Sequence, residues 1–258
     1  PQTLSLRGRL LYRLMMGLAV HSSAAVITIS QHACGDLARR YRLPAGRLVV
    51  TPLAAAAPFC PQPPVVLAAM RARYGLPARY VLYVGSNKPH KNLERLVLAW
   101  EQLGADERGD VQLVLAGHEE TQHPELSQLV AARGLGGRVR RLANVAEADL
   151  PALYSGADVF AFVSYYEGFG LPPLEAMACG APVLCAAASS LPEVVGDAAV
   201  LVDPFSVEAI NAGLRQLLAS PPLCDELRAR GLRRAGTFSW QRTARMTLGV
   251  YERSAGQP

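Results

Sequence analysis

Lysine is almost absent from this chain of 258 residues, which carries its positive charge on arginine instead. Only two of the 26 basic residues are lysines, and both of them, Lys88 and Lys91, fall in the segment Ser86–Asn92. A compact ammonium group suits a point contact with a phosphate, whereas the planar guanidinium of arginine favours bidentate hydrogen bonding. The segment is therefore a candidate phosphate-binding loop.

Several motifs that define common functional classes are also missing. The sequence has no Gly-x-x-x-x-Gly-Lys-Ser/Thr loop, which speaks against the chemistry of P-loop proteins. It has no Cys-x-x-Cys pair and no Cys–His metal spacing, so we expect its five cysteines to be buried thiols in a reducing compartment. No Asp-x-Asp occurs, which speaks against a divalent metal ion that holds a diphosphate.

The distribution of charge and hydrophobicity narrows the range of partners. The net charge of +5 suits an anionic ligand or a membrane surface, but no basic run is interleaved with aromatic residues, so we expect no nucleic-acid partner. No uninterrupted apolar run reaches about 18 residues, so no membrane span is expected. Half of the residues are hydrophobic, which is enough for the core of one or two globular domains.

Short apolar runs alternate with helical patterns from residue 80 onward, which predicts an α/β fold with a doubly wound, Rossmann-like parallel sheet. The predicted strands of this sheet are 80–84, 111–116, 139–142, 159–164, 183–186 and 199–202. The predicted helices are 65–74, 93–103, 124–133, 147–154, 173–179, 207–218, 222–236 and 240–253. Upstream we predict helices 4–19 and 31–41, strands 24–30 and 48–50, and a linker over the Pro/Ala-rich residues 54–64.

The sharpest motif is Glu167-Gly-Phe-Gly-Leu-Pro-Pro-Leu-Glu175, which follows the predicted strand 159–164. Glu167 falls at the carboxyl end of that strand, where ligands bind in parallel sheets. Gly168 and Gly170 allow the backbone to approach a ligand closely, and the start of the following helix is an anion site. Two carboxylates beside such a turn suit a ligand with hydroxyls and phosphates, as in a nucleotide sugar.

This motif resembles the paired-glutamate signature of retaining glycosyltransferases with the GT-B fold, in the large group 1 family that includes sucrose synthase and many bacterial mannosyl- and glucosyltransferases. The resemblance covers residues 81–251 closely and 24–52 more loosely. It implies the C-terminal half of a GT-B fold, with a nucleotide-sugar donor-binding domain over 65–238 and a crossover helix and tail over 239–258. Residues 1–53 would be the remnant of an N-terminal acceptor-binding domain, and most of that domain is expected upstream.

The resemblance also implies roles for individual residues. Glu167 matches the glutamate that lies against the sugar, Lys91 matches the lysine that neutralises the leaving diphosphate, and Glu175 matches the glutamate that binds the ribose. Glu167 and Lys91 are thus the catalytic candidates. Ser86 stands where many members have arginine, so Lys88 or His90 is a candidate for the second phosphate contact.

The full set of donor-binding candidates includes loops after other strands. Asn144 and Val145 match the position at which the family binds the base through backbone groups. His118 lies near the family's nucleotide or sugar contacts, although it is equally typical of a surface histidine. The candidates are Gly85, Ser86, Lys88, His90, Lys91, His118, Asn144, Val145, Glu167, Gly168, Phe169, Gly170, Leu171 and Glu175.

The implied activity is retaining transfer of a hexose from GDP-mannose or a UDP-sugar to a hydroxyl of a glycan or lipid-linked acceptor, without a metal or another cofactor. The sequence around Lys91 and Glu167 most resembles that of GDP-mannose-dependent enzymes. Two alternatives remain: a nucleotide-sugar-binding fragment that is inactive on its own, and a UDP-sugar epimerase of the same fold. We expect a cytoplasmic location, or peripheral contact with the inner face of the plasma membrane through the arginine-bearing helix 4–19.

Overall fold

The structure is a computed structural model that describes residues 6–104, 109–118 and 120–256. These residues form two compact units. One unit contains the described residues up to Leu53 together with those from Trp240 onward, and the other contains the described residues of Ala54–Ser239.

The smaller unit begins with a helix and a two-stranded parallel sheet. Its elements are α1 (Leu6–Ser22), β1 (Val26–Thr28), α2 (Gln31–Tyr41), a 3-10 turn (Ala45–Arg47) and β2 (Leu48–Val50). Ser30 starts α2, because its hydroxyl accepts the N–H of Ala33 at 3.0 Å. The guanidinium of Arg47 donates to main-chain carbonyls at the end of α1. Leu10, Leu14 and Leu18 of α1 remain exposed, each by 59% or more.

The larger unit alternates strands and helices, as the sequence predicts. Its elements are α3 (Pro64–Tyr74), β3 (Tyr80–Val84), α4 (Leu93–Glu101), β4 (Gln112–Ala116), α5 (Glu125–Ala132), β5 (Val139–Leu142), α6 (Leu150–Ser155), β6 (Val159–Phe162), α7 (Leu171–Ala178), β7 (Val183–Ala186), α8 (Leu191–Val195), β8 (Ala199–Val202), α9 (Val207–Ala219) and α10 (Pro221–Ala235). Two 3-10 turns, Pro89–Lys91 and Glu147–Asp149, precede α4 and α6. The final helix, α11 (Trp240–Ala255), belongs to the smaller unit, where the hydroxyl of Thr243 donates to the carbonyl of Pro52.

The six strands of the larger unit form one parallel sheet in the order β5-β4-β3-β6-β7-β8. This arrangement confirms the predicted doubly wound α/β fold. The chain builds outward from β3 in one direction and then returns to β6 on its other side, so the strand order reverses between β3 and β6. A crevice opens at such a switch point beyond the carboxyl ends of the strands, and ligands bind there in sheets of this kind.

The core lies around the central strands, which are buried on both faces as parallel sheets require. Tyr83 of β3 stacks on Phe162 of β6 with ring centroids 6.0 Å apart, and Phe162 stacks on Phe160 at the same distance. Tyr154 of α6 meets Phe160 edge to face at 5.2 Å. These aromatic contacts fix β3 against β6 directly below the switch point.

Several predicted boundaries in this unit differ from the structure, and three of these differences have a local physical reason. Residues 147–154 do not form one helix, because Pro151 is tolerated only in a first turn and the α-helix therefore begins at Leu150. α7 begins at Leu171 instead of Pro173, since both prolines fit its first turn. The short helix α8 lies between β7 and β8, where no helix was predicted, because its five residues are too few to show a helical period.

The prediction of buried thiols is correct for three cysteines only. Cys179, Cys185 and Cys224 are buried, whereas Cys34 is half-buried and Cys60 is exposed. Cys60 lies in the Pro/Ala-rich segment before α3, which follows the surface of the larger unit. Its neighbour Phe59 packs edge to face against Tyr154 at 6.0 Å.

Candidate active site

Two loops meet at the switch point of the larger sheet. Residues 85–92 follow β3 and residues 163–170 follow β6, which is its neighbour in the sheet. The N–H of Tyr165 donates to the carbonyl of His90 at 2.9 Å, so the two loops run side by side. Residues that are distant in the sequence thereby line one crevice.

Lys91 and Glu167 form an ion pair in this crevice. The Nζ atom of Lys91 lies 2.7 Å from Oε1 of Glu167, and the two side chains are only 17% and 15% exposed. The ammonium also lies 5.3 Å from the centroid of the Phe162 ring, whose face attracts a cation. Partial burial strengthens the attraction between the two charges, so this contact is stronger than a surface ion pair. The structure thus brings together the two predicted catalytic candidates.

The phosphate-loop candidates around Lys91 have separate surroundings. Gly85 donates its N–H to the carbonyl of Ala116 at 2.9 Å, and the carbonyl of Ser86 accepts the hydroxyl of Tyr83 at 2.8 Å. Lys88 is half exposed, and its ammonium lies 3.5 Å from a carboxylate oxygen of Glu120. Lys88 is therefore not part of the Lys91–Glu167 pair.

His90 lies next to Lys91 in the same loop. Desolvation, followed by the ammonium of Lys91, lowers the pKa of its imidazole. The neutral form of the ring is therefore favoured, and this form can donate or accept a hydrogen bond but carries no positive charge.

Close backbone packing explains the glycine that starts the loop after β4. Gly117 has a φ of 133°, and a Cβ atom at this position would lie 2.3 Å from the carbonyl oxygen of Gly85. No residue with a side chain fits there without moving one of the two loops. The predicted ligand residue His118 follows Gly117 and is exposed, and it lines a small cleft together with Arg141.

Asn92 has a role that the sequence did not reveal. It is the N-cap residue of α4 and has a left-handed φ of 62°, but its side chain makes no capping hydrogen bond. Its amide instead donates to the carbonyls of Val163 and Pro204, at 2.9 and 2.7 Å. Asparagine at an N-cap usually binds the first turn of its helix through its side chain, but Asn92 does not. The residue ties the β3 loop to the loops after β6 and β8.

Glu175 lies on α7, where the hydroxyl of Tyr154 donates to its Oε2 atom at 3.0 Å. Burial raises the pKa of Glu175, the hydrogen bond from Tyr154 opposes that rise, and the charge of Glu147 adds to it. Glu147 belongs to the turn that follows Asn144 and Val145, so the loop after β5 lies within electrostatic range of α7. Asn144 is exposed and has a φ of 58°, whereas Val145 is half-buried.

The Gly-Phe-Gly turn leads directly into α7. Gly170 starts the helix with a φ of 119°, and a Cβ atom there would lie 2.8 Å from the side chain of Leu191. Gly168 is half-buried, and the side chain of Phe169 is buried, so only main-chain atoms of Phe169 could serve a ligand. Since the next two helical residues are prolines, Leu171 supplies the one free N–H of the first three helical positions.

Two serines at the start of α8 also contact this site and were missed from the sequence. Ser189 accepts the N–H of Glu167, and Ser190 donates to its carbonyl. The described residues, at this site and outside it, contain no group of three or more His, Cys, Asp or Glu side chains that could hold a metal ion. None of the helices described here is both long and apolar enough to cross a membrane.

Comparison with known proteins identifies the family to which this chain belongs. The family model "Glycosyl transferases group 1" matches residues 70–234. The chain belongs to this family. The match confirms the resemblance carried by the paired glutamates.

Two curated relatives show the reach of this glycosyltransferase family. The chain is 37% identical over 235 residues to O-antigen chain mannosyltransferase B of Escherichia coli, which covers 91% of this chain and 62% of that protein. It is 37% identical over 230 residues to D-inositol 3-phosphate glycosyltransferase of Kineococcus radiotolerans, covering 82% of this chain and 52% of that protein. The chain therefore spans less than two thirds of the length of either relative.

A solved structure supports the same assignment at the level of the fold. Sucrose-phosphate synthase from Thermosynechococcus elongatus matches with a TM-score of 0.81 and 28% identity, over 98% of this chain and 64% of that chain. This likeness confirms the predicted Rossmann-like fold of the GT-B type for this group 1 glycosyltransferase chain.

Proposed function

We propose that this chain is the donor-binding part of a retaining hexosyltransferase. It would bind a nucleotide-diphosphate sugar at the switch point between β3 and β6, and the sugar would pass to an acceptor hydroxyl with its anomeric configuration kept. The observation that carries this proposal is the Lys91–Glu167 ion pair in a chain of the group 1 family.

The charges of this pair suit the reaction. When a glycosyl donor reacts, negative charge builds on the departing diphosphate and positive charge builds at the sugar carbon. Lys91 offers an ammonium for the first charge, and Glu167 offers a carboxylate for the second. Because both side chains are mostly shielded from water, their stabilisation of these charges is stronger than it would be in bulk solvent.

Glu175 would hold the ribose of the nucleotide. An ionised carboxylate accepts hydrogen bonds from two neighbouring hydroxyls, and the bond from Tyr154 orients this carboxylate in advance. Burial raises the pKa of Glu175, which disfavours its ionised form in the free protein. Hydroxyl donors from a ribose would compensate for the lost solvation, so the site gains most when the ligand is bound.

Lys91 would neutralise the diphosphate without a divalent metal ion or another cofactor. Two features support this part of the proposal: the position of the ammonium at the loop after β3, and a sequence without Asp-x-Asp. Mannose is the proposed sugar, because a relative at 37% identity is a mannosyltransferase. GDP is the proposed nucleotide, since the sequence around Lys91 and Glu167 resembles that of GDP-mannose-dependent enzymes, and a UDP-sugar is the alternative donor. A hydroxyl of a growing glycan is the proposed acceptor, and the proposed location is the cytoplasm or the inner face of the plasma membrane.

A thermal-shift panel with GDP, UDP and ADP tests the proposal. A ligand at 100 times its dissociation constant stabilises a protein by about 2.7 kcal/mol, which raises Tm by about 5–10 °C in a unit of this size. We expect a shift with one nucleotide and its loss in Glu175→Gln. We expect the shift to be retained in Lys88→Ala, because the half-exposed ammonium of Lys88 lies by the carboxylate of Glu120 and not in the Lys91–Glu167 pair. A shift with UDP alone would replace GDP as the donor base, and the absence of a shift with all three would contradict the proposal.

A coupled assay separates transfer from epimerisation. With the nucleotide sugar that corresponds to the base found above, a transferase releases the nucleoside diphosphate only when an acceptor is present. A UDP-sugar epimerase instead inverts one carbon of the sugar without an acceptor and leaves the nucleotide attached. Nucleotide binding with neither reaction would support the reading of a donor-binding part that is inactive on its own.

A further inference from the structure

Both main-chain polar groups of Glu167 are bound by side chains from the loop after β7. The N–H of Glu167 donates to the hydroxyl oxygen of Ser189 at 2.9 Å. The single hydroxyl proton of Ser190 is shared between the carbonyl oxygens of Glu167 and Phe169, which lie 2.9 and 2.7 Å from its Oγ atom. We name these two residues the serine clamp.

The conformations of both serines indicate that their side chains serve the Glu167 turn and not the helix that follows them. Ser190 occupies the N-cap position of α8 and is fully buried, yet its side chain makes no capping hydrogen bond. Its hydroxyl serves the Glu167 turn instead. Ser189 has a φ of 53°, which residues with a side chain adopt rarely and which clusters at functional sites.

Contacts from α10 and from Phe238 hold α8 and the Glu167 turn in place. Arg234 of α10 donates to the carbonyls of Glu193 and Val194 in α8. Its guanidinium lies 5.1 Å from the centre of the Phe238 ring, and Phe238 meets Phe169 edge to face at 5.8 Å. The two serines therefore hold the main chain of the turn that bears Glu167, and Phe238 holds the side chain of Phe169 in the same turn. A carboxylate on a turn fixed at both points has little freedom to leave Lys91.

We propose that Ser189 and Ser190 are positioning residues for sugar transfer. They fix the main chain at Glu167 so that its carboxylate meets the ammonium of Lys91 and would face the sugar of the donor. The inference rests on the proposed function for its catalytic meaning, but the geometry that it predicts can be measured in the free chain.

The scarcity of lysine provides that measurement. Acylation of lysine side chains, followed by peptide mass spectrometry, reports on Lys91 and Lys88 alone, and the half-exposed Lys88 serves as an internal reference. In Ser189→Gly the hydroxyl is lost, while glycine adopts the φ of 53° without strain, so the fold is retained. We expect the Lys91-to-Lys88 rate ratio to rise at least threefold in this variant and in Ser190→Ala, with Glu167→Gln as the positive control.

A matched control removes a hydroxyl elsewhere. Ser206 caps α9 by accepting the N–H of Ala209, so Ser206→Ala costs the unit a capping bond without touching the Glu167 turn. We expect its rate ratio to equal that of the wild type. An unchanged ratio in Ser189→Gly, or an equal rise in Ser206→Ala, would overturn the clamp.

The catalytic meaning of the clamp has a separate readout. The affinity for GDP-mannose relative to GDP measures the contribution of the sugar, which Glu167 is proposed to contact. We expect Ser189→Gly to keep the GDP affinity within about twofold and to lose at least fivefold of the preference for GDP-mannose. An unchanged preference would overturn the positioning role. Failure of the wild type to bind either compound would instead refute the proposed function, and the lysine ratio would still judge the clamp geometry.

Discussion

Asn92 provides the sharpest test of how the site is held together. Its buried amide donates two hydrogen bonds, to Val163 and Pro204, and thereby joins the loops after three strands. Asn92→Ala removes both donors and leaves two carbonyl oxygens without these partners. Each unsatisfied buried acceptor costs about 1–3 kcal/mol, so the hydrogen bonds alone account for about 2–6 kcal/mol.

The backbone conformation adds to this loss. Asn92 has a φ of 62°, which asparagine tolerates because of its short polar side chain but which costs alanine about 1 kcal/mol or more. The expected loss for Asn92→Ala is therefore about 3–7 kcal/mol, a large part of the 5–15 kcal/mol that stabilises a typical domain. Asn92→Gly loses the same hydrogen bonds without the conformational cost, so it should be about 1 kcal/mol more stable than the alanine variant.

Urea unfolding of the wild type and both variants measures these differences. We expect a lower midpoint in both variants with an unchanged slope, and alanine below glycine. In the glycine variant the Lys91-to-Lys88 acylation ratio should also rise, because the tie between the two site loops is lost. Stability of Asn92→Ala within 1 kcal/mol of the wild type would refute the account of Asn92 as a tie between loops.

Substitutions at Glu175, Lys91 and Gly117 have separate expected outcomes. In Glu175→Gln, nucleotide binding should disappear, while the free chain should become more stable at neutral pH because burial raises the pKa of Glu175. This gain in stability should shrink as the pH falls through that pKa, since the carboxyl of the wild type then becomes protonated. Urea midpoints measured across pH would show the change. Lys91→Met should weaken GDP binding about 10- to 100-fold, from the loss of charge-assisted hydrogen bonds, whereas Lys88→Met should change it less than about threefold in the same titration. Gly117→Ala should lose about 2–5 kcal/mol in thermal unfolding, because its Cβ would overlap a carbonyl oxygen, while Gly136→Ala, with open space around it, should stay within about 0.5 kcal/mol.

The sequence predicted the larger sheet well, because apolar runs alternating with helical patterns have few other solutions. The boundaries of β3, β5, β7 and β8 agree with the predicted ranges. The meeting of Lys91 with Glu167 could also be anticipated in outline, since both follow strands of one parallel sheet and such ends share an edge. That β3 and β6 are neighbours depends on strand order, which no local pattern encodes.

The contacts that position the site could not be predicted from the sequence for a physical reason. Asn92 and Ser190 both stand at N-cap positions, where the local rule assigns their side chains to the helix that follows. In each case the side chain binds a carbonyl that is distant in the sequence instead, at a separation of 71 residues for Asn92 and Val163. Such a choice between a local and a remote partner is settled by tertiary packing, and a single sequence carries no signal for it.

Calorimetric titration of the chain would show whether the crevice between β3 and β6 binds a nucleoside diphosphate through Lys91 and Glu175, as we propose. GDP and UDP would be titrated into the wild type, Lys91→Met and Glu175→Gln, after thermal unfolding has shown that both variants are folded. We expect one-to-one binding of one nucleotide to the wild type and at least tenfold weaker binding to each variant. Binding of equal strength in all three proteins, or no binding of either nucleotide to the wild type, would contradict the proposal.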